Sequence, residues 1–251
     1  MMKISDLGFH AYLNGEPPFT GLGCVNLPEN YTWKIPNTLE KLGLSIQDSN
    51  PFRANLELKQ KLNEKWQLAS STTKLNIAKW IVADWGGIKR NSDRTIAKYV
   101  KEIENVQPDT PFKGVSSYSK ILMAMDSKNF AILDARVVVS VNAIQFINRV
   151  QEGLFFPYIT AGRNKVTGHA GTKTGFAYIP KYNVIKRKND FMKWTIVDQK
   201  HAYTEYINLL KKLEKQTSFK LSEIEMALFA DAEKLAILLE PSLKKTNSPL
   251  S

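Results

Sequence analysis

The sequence predicts a mainly α-helical protein with an irregular N-terminal segment and a long basic loop late in the chain. Three observations predict it. Apolar residues recur at helical spacing between polar ones from Ala54 onward, Gly, Pro and Ser separate these stripes into short helices, and the regular pattern is absent from residues 1–52 and 151–198. The organisation that follows is an irregular segment 1–52 packed on the core, a helical lobe 53–150, a basic aromatic loop 151–198, and C-terminal helices 199–251 that complete the core.

Residues Met1 to Pro51 are rich in Gly, Pro and Asn with scattered aromatics, among them Phe9, Tyr12, Phe19, Tyr31 and Trp33, which reads as irregular or short-strand structure. Leu56, Leu58, Leu62, Trp66 and Leu68 then form the stripe of a first helix that ends near Ser70-Ser71. A second helix runs from about Thr73 to Trp85, where Gly86-Gly87 stops it. A third begins at Ser92 or Asp93, both good N-caps, and turns Ile96, Ala97, Val100 and Ile103 inward. Beyond Pro108 and Pro111, the pattern predicts helices from about Ser116 to Met125 and from Asp134 to about Val150. Two more, Gln199 to Lys215 and Leu221 to Leu239, close the chain before a polar tail.

An apolar share of 43% is that of an ordinary globular protein. No run of eighteen apolar residues occurs, and the start lacks the apolar stretch of a signal peptide, so a cytoplasmic location is expected. A single cysteine, Cys24, excludes an internal disulfide and a cysteine-held cluster, and the three histidines are far apart in sequence, so no metal or other cofactor is expected. The 35 Lys and Arg outnumber 24 Asp and Glu for a net charge of +11, which points to a polyanionic partner. Nucleic acid fits best, because phosphate contacts by Lys and Arg supply most of its non-specific affinity. A membrane surface and simple solubilisation by surplus lysines are the alternatives.

The chemistry is concentrated in one stretch. In Pro111-Phe112-Lys113-Gly114-Val115-Ser116-Ser117-Tyr118-Ser119-Lys120, a Gly-hydrophobic-small turn precedes an apolar helix, and such a turn exposes backbone N–H groups that can hold a phosphate. Ser116, Ser117 and Ser119 add hydroxyls, and Lys113 and Lys120 add charge. In Phe130-Ala131-Ile132-Leu133-Asp134-Ala135-Arg136-Val137, an apolar tetrapeptide then delivers a carboxylate to the start of the next helix. As structure alone, Asp134 is an N-cap.

Together these pieces resemble the helix–hairpin–helix DNA glycosylase superfamily, in which a Leu-Pro-Gly-Val-Gly hairpin is followed some twenty residues on by a catalytic Asp. Lys113-Gly114-Val115-Ser116 looks like the hairpin and Leu133-Asp134-Ala135-Arg136-Val137 like the Asp segment, with Asp134 twenty residues after Gly114. The resemblance implies a two-lobed helical fold, double-stranded DNA as partner, and hydrolysis of the N-glycosidic bond of a flipped base to leave an abasic site. It departs from the family at the second hairpin glycine, which is Ser116, and at the position of the Schiff-base lysine of bifunctional members, which is Tyr118. Lys120 lies two positions away, on another part of the helix surface. A monofunctional enzyme is therefore implied.

The glycosidic bond breaks through an oxocarbenium-like cation, so a carboxylate beside the sugar lowers the barrier and orients the attacking water; the resemblance assigns this to Asp134. An extruded base is held between aromatic or apolar walls, for which Trp80, Trp85, Tyr118 and Phe130 are candidates, though each also suits the core. Arg136 would pair with Asp134, bind a phosphate, or stand exposed on its helix. In the basic loop, Arg163 and Lys165 are candidate DNA contacts and His169 a candidate base contact. The loop and the distance from housekeeping repair enzymes point to a specialised substrate, such as a hypermodified (for example glucosylated hydroxymethyl) cytosine of phage DNA in antiviral defence. The alternative is a non-catalytic helix–hairpin–helix DNA-binding protein, which has no need of Asp134.

Overall fold

The computed structural model describes residues 8–105, 112–157, 159 and 194–244. The protein is mainly helical, and among the described residues no helix is long and apolar enough to cross a membrane. The chain divides into two compact units, Tyr31–Leu133 and a second made of Met1–Asn30 with Asp134–Ser251. The division falls inside the expected lobe 53–150, between Leu133 and Asp134.

In the Tyr31–Leu133 unit, α3 spans Pro51–Gln67, with Pro51 in its first turn and the Asn50 side chain accepting from the N–H groups of Phe52 and Arg53 at 3.0 and 3.3 Å. Ser70 caps α4 (Ser71–Lys79) by accepting from Thr73 N at 3.3 Å. The expected single helix through Trp85 changes pitch on the way: Trp80–Trp85 form a π-helical turn, closed by Gly86 N donating to Ile81 O five residues back at 3.0 Å. Ile88 N then bonds Val82 O at 2.9 Å, a path that Gly87 permits with its φ of +67°. Helix α5 spans Asp93–Asn105 and buries Ile96, Tyr99, Val100 and Ile103, whereas Ala97, expected inside, faces solvent. Helix α6, Val115–Met125, is the centre of this unit, with α3, α4, α5 and the π turn packed around it. Every residue from Ser117 to Ala124 is consequently buried, so the helix has no polar face.

In the other unit the N-terminal segment forms short helical turns, and none of its described residues is a strand. Helix α1 is Phe9–Leu13, a 3-10 turn covers Cys24–Asn26, and α2 is Leu27–Asn30. Its centre is α7, Ala135–Ile147, buried from Val137 to Phe146 and packed by α1, α9 (Leu221–Ala230) and α10 (Ala232–Lys244), with α8 (Ala202–Gln216) against α9. The final helix expected over 221–239 is two, broken at Asp231. That carboxylate is fully buried and accepts from Gly23 N at 2.8 Å, the Tyr12 hydroxyl at 3.0 Å and Asn30 Nδ2 at 3.0 Å, tying the N-terminal turns to the α9–α10 junction. Burial lifts its pKa, and the three hydrogen bonds offset only part of the rise. Burial likewise pushes the neighbouring Cys24 thiol far up, so it remains protonated.

Strand β1 (Leu154–Phe155) pairs in parallel with β2 (Thr195–Ile196), in register Leu154 to Thr195 and Phe155 to Ile196. The other edge of β1 is satisfied by side chains of α7. Gln145 exchanges two 2.8 Å hydrogen bonds with the backbone of Leu154, and Asn142 two at 2.9 Å with that of Phe156. Two amides one helical turn apart thus stand in for a neighbouring strand.

Candidate active site

Gly114 precedes α6 with φ +87°, a left-handed conformation at the expected turn, and a Cβ there would run into the Tyr99 hydroxyl. Lys113 and Gly114 are exposed and Ser116 half-buried. The other two serines face inward. Ser117, 3% exposed, accepts from Asn91 Nδ2 at 2.6 Å. Ser119 is fully buried; its Oγ accepts from Leu133 N at 3.1 Å and donates to Leu133 O at 3.4 Å. The expected phosphate role thus meets two hydroxyls already used within the protein, because α6 is enclosed on all sides. Lys120 is also interior, with its Nζ donating to Ser116 O at 3.1 Å.

The Ser119–Leu133 pair anchors to α6 the residue that immediately precedes Asp134 in the chain. Asp134 itself is half-buried and N-caps α7: Oδ1 accepts from Arg136 N at 2.9 Å and Val137 N at 3.1 Å. Among the described residues Oδ2 has no hydrogen-bond partner. One oxygen therefore fixes the orientation of the carboxylate at a positive helix end, and the other is not engaged by any described residue.

Arg136 does not pair with Asp134 through its side chain. Its Nε donates to Phe229 O at 3.0 Å, its Nη1 pairs with Glu233 Oε1 at 3.0 Å, and the guanidinium lies 4.8 Å from the Phe229 ring centroid. Ser140 Oγ also donates to Leu228 O at 2.5 Å, so the first turns of α7 are fastened to the end of α9. Tyr206 is fully buried and its pKa is raised far, by burial first, then by Glu225, Tyr203 and Asp134. Glu225 is 3% exposed. Sequence reading passed over it, although it shares a helix face with Ile224, Leu221 and Leu228, and a carboxylate on such a face is the available signal.

Three of the four aromatic candidates are core residues. Trp80 donates to Thr38 Oγ1 at 3.0 Å, Trp85 donates to Asn55 Oδ1 at 2.9 Å and meets Trp33 edge-on, and Tyr118, 1% exposed, packs edge-on against Tyr99 at 5.1 Å between centroids. Phe130 is half-buried. Arg163, Lys165 and His169 lie outside the described residues, as does most of the 151–198 loop. No group of three or more His, Cys, Asp or Glu side chains among the described residues is arranged to hold a metal ion. Comparison with protein-family models, curated proteins and solved structures finds no match to this chain.

Proposed function

We propose that the protein is a monofunctional DNA glycosylase in which Asp134 is the catalytic carboxylate. The observation that carries the reading is the division of labour within that side chain. Oδ1 is fixed by two backbone N–H groups, and Oδ2 has no partner among the described residues. A carboxylate held in this way is oriented before substrate arrives, so its negative charge opposes the growing positive charge on the sugar without reorganisation at the moment of reaction. The same group orients a water toward C1′, and the departing base leaves an abasic site. The net charge of +11 and the glycine turn before α6 support duplex DNA as the partner. The interior position of Lys120 and the presence of Tyr118 where a Schiff-base lysine would align support hydrolysis without strand cleavage. The proposed substrate is a damaged or modified base, with a hypermodified cytosine of phage DNA as the first to examine and antiviral defence as the setting.

The test is incubation with duplexes carrying single modified bases and with phage genomic DNA, followed by hot alkali to reveal abasic sites. Base release by the parent protein is expected, and Asp134→Asn should cut it by about a thousandfold, equivalent to roughly 4 kcal/mol, with DNA binding retained. Failure to release any base while binding duplex would leave a non-catalytic DNA-binding protein. Strand breaks before alkali treatment would contradict the monofunctional assignment.

A further inference from the structure

Between the π turn and α5, the chain makes a short loop that is fixed at three points. Ile88 N bonds Val82 O at 2.9 Å, Asn91 Nδ2 donates to Ser117 Oγ in the first turns of α6 at 2.6 Å, and Ser92 Oγ caps α5 by accepting from Thr95 N at 3.2 Å. Lys89 and Arg90 project from this loop, exposed, and exposed Arg94 follows in the first turn of α5. Neither they nor Lys113, on the chain leading into α6, have an ion-pair or hydrogen-bond partner among the described residues.

Among the described residues, the carboxylates nearby in sequence are mostly committed elsewhere: Asp93 to Lys79 at 2.6 Å, Glu102 to Lys98 at 3.5 Å and Glu104 to Lys74 at 2.9 Å, with Asp84 exposed. Arg94 sits at the positive end of α5, where a helix favours anions. Four cations therefore stand on or next to a preorganised support with no ion-pair partner among the described residues, a placement that costs stability in the isolated protein and is offset when phosphates are bound.

We propose that the Ile88–Ser92 loop, with Lys89 and Arg90 at its tip and Arg94 and Lys113 beside it, is a second grip on the sugar–phosphate backbone of duplex DNA, held in register with α6 by Asn91 and Ser117. The proposal rests on the DNA-glycosylase reading and adds to it a contact surface outside the hairpin residues. It is sequence-independent: phosphate contacts position the protein and carry no base information.

The test compares the whole parent chain with Lys89→Gln/Arg90→Gln for binding to an unmodified duplex, across a series of salt concentrations. Losing two phosphate contacts lowers the slope of log affinity against log salt by about 1.8 and weakens binding roughly tenfold or more at 0.1 M salt. The variant's melting temperature should equal or exceed the parent's, because mutual repulsion is relieved. A variant with the parent's slope and affinity would overturn the grip, whatever the outcome for chemistry. A parent that shows the slope difference but releases no base from any modified DNA would overturn the glycosylase reading and leave the grip standing. A parent that does not bind duplex at low salt would overturn both.

Discussion

Ser119 and Leu133 exchange two hydrogen bonds, with the serine hydroxyl accepting from Leu133 N at 3.1 Å and donating to Leu133 O at 3.4 Å. The pair is fully buried, and it holds to α6 the backbone that leads directly into Asp134. Ser119→Ala removes one side chain atom and orphans a buried N–H, which costs roughly 1–3 kcal/mol in denaturant unfolding. The salt dependence of the proposed DNA binding should be unchanged. A slope lowered by a full phosphate contact would mean that the hydroxyl reaches DNA after all.

Asp134 caps α7 and, in the proposed reading, is also the catalytic carboxylate, and the two roles separate on substitution. Asn retains an oxygen to accept from Arg136 N and Val137 N and is an equally good cap, so Asp134→Asn should unfold close to the parent while losing base release. Asp134→Ala loses both, at about 0.5–2 kcal/mol of stability. Equal destabilisation by the two variants would show that the charge, rather than the hydrogen bonds, holds the start of α7.

Gly114 is constrained twice, by its φ of +87° and by the Tyr99 hydroxyl against which any Cβ would collide. Gly114→Ala is expected to destabilise by about 1–2 kcal/mol from backbone strain alone, with the collision in addition. In a Tyr99→Phe background the oxygen is gone, so the cost of Gly114→Ala should shrink without vanishing. A double-mutant cycle measures the difference; strict additivity would rule out the collision.

Asp231 sets a pH dependence. Its folded-state pKa lies above the ordinary carboxylate value of 3.8, chiefly through burial, so the native state keeps that proton longer than the unfolded chain does. Its contribution to stability is complete below the unfolded value and is lost as pH rises through the folded one. Asp231→Asn cannot titrate. Melting temperatures taken from pH 3.5 upward should therefore shift in the variant's favour, relative to the parent, as pH rises through this window. A constant gap would show that burial does not perturb Asp231.

Much of this fold was legible because helices that keep a polar face write it into the sequence. The inward residues Leu58, Leu62 and Trp66 of α3 and Ile96, Val100 and Ile103 of α5, the cap Asp134 and the stop at Gly86-Gly87 were all readable, whereas Leu68, expected on the first stripe, is exposed at the end of α3, and the caps Asn50 and Ser70 were not read. Legibility failed where a helix is enclosed. Along α6, Ser117, Tyr118, Ser119 and Lys120 are all interior, so residue type no longer indicates which side chains reach solvent, and hydroxyls expected on phosphate are hydrogen-bonded inside. The break at Asp231 was hidden for a related reason. Its partners Tyr12, Gly23 and Asn30 are some two hundred residues distant in sequence, and no local pattern announces them. The carboxylate of Asp134 was legible in kind and position; the committed state of Arg136 depends on Phe229 and Glu233 and was not.

The two-sided bonding of β1 bears on how much change in the following sequence the fold tolerates. Gln145 and Asn142 hold one edge, β2 holds the other, and Trp194 donates to Val150 O at 2.8 Å beside them. The chain's exit and re-entry points are thus fixed by helix α7 and by each other, independently of what lies between. Closing a longer segment over fixed ends costs only about 0.6 kcal/mol per doubling of length. Insertion, deletion or exchange in the sequence between the two strands is therefore expected to leave the helix that Asp134 caps intact.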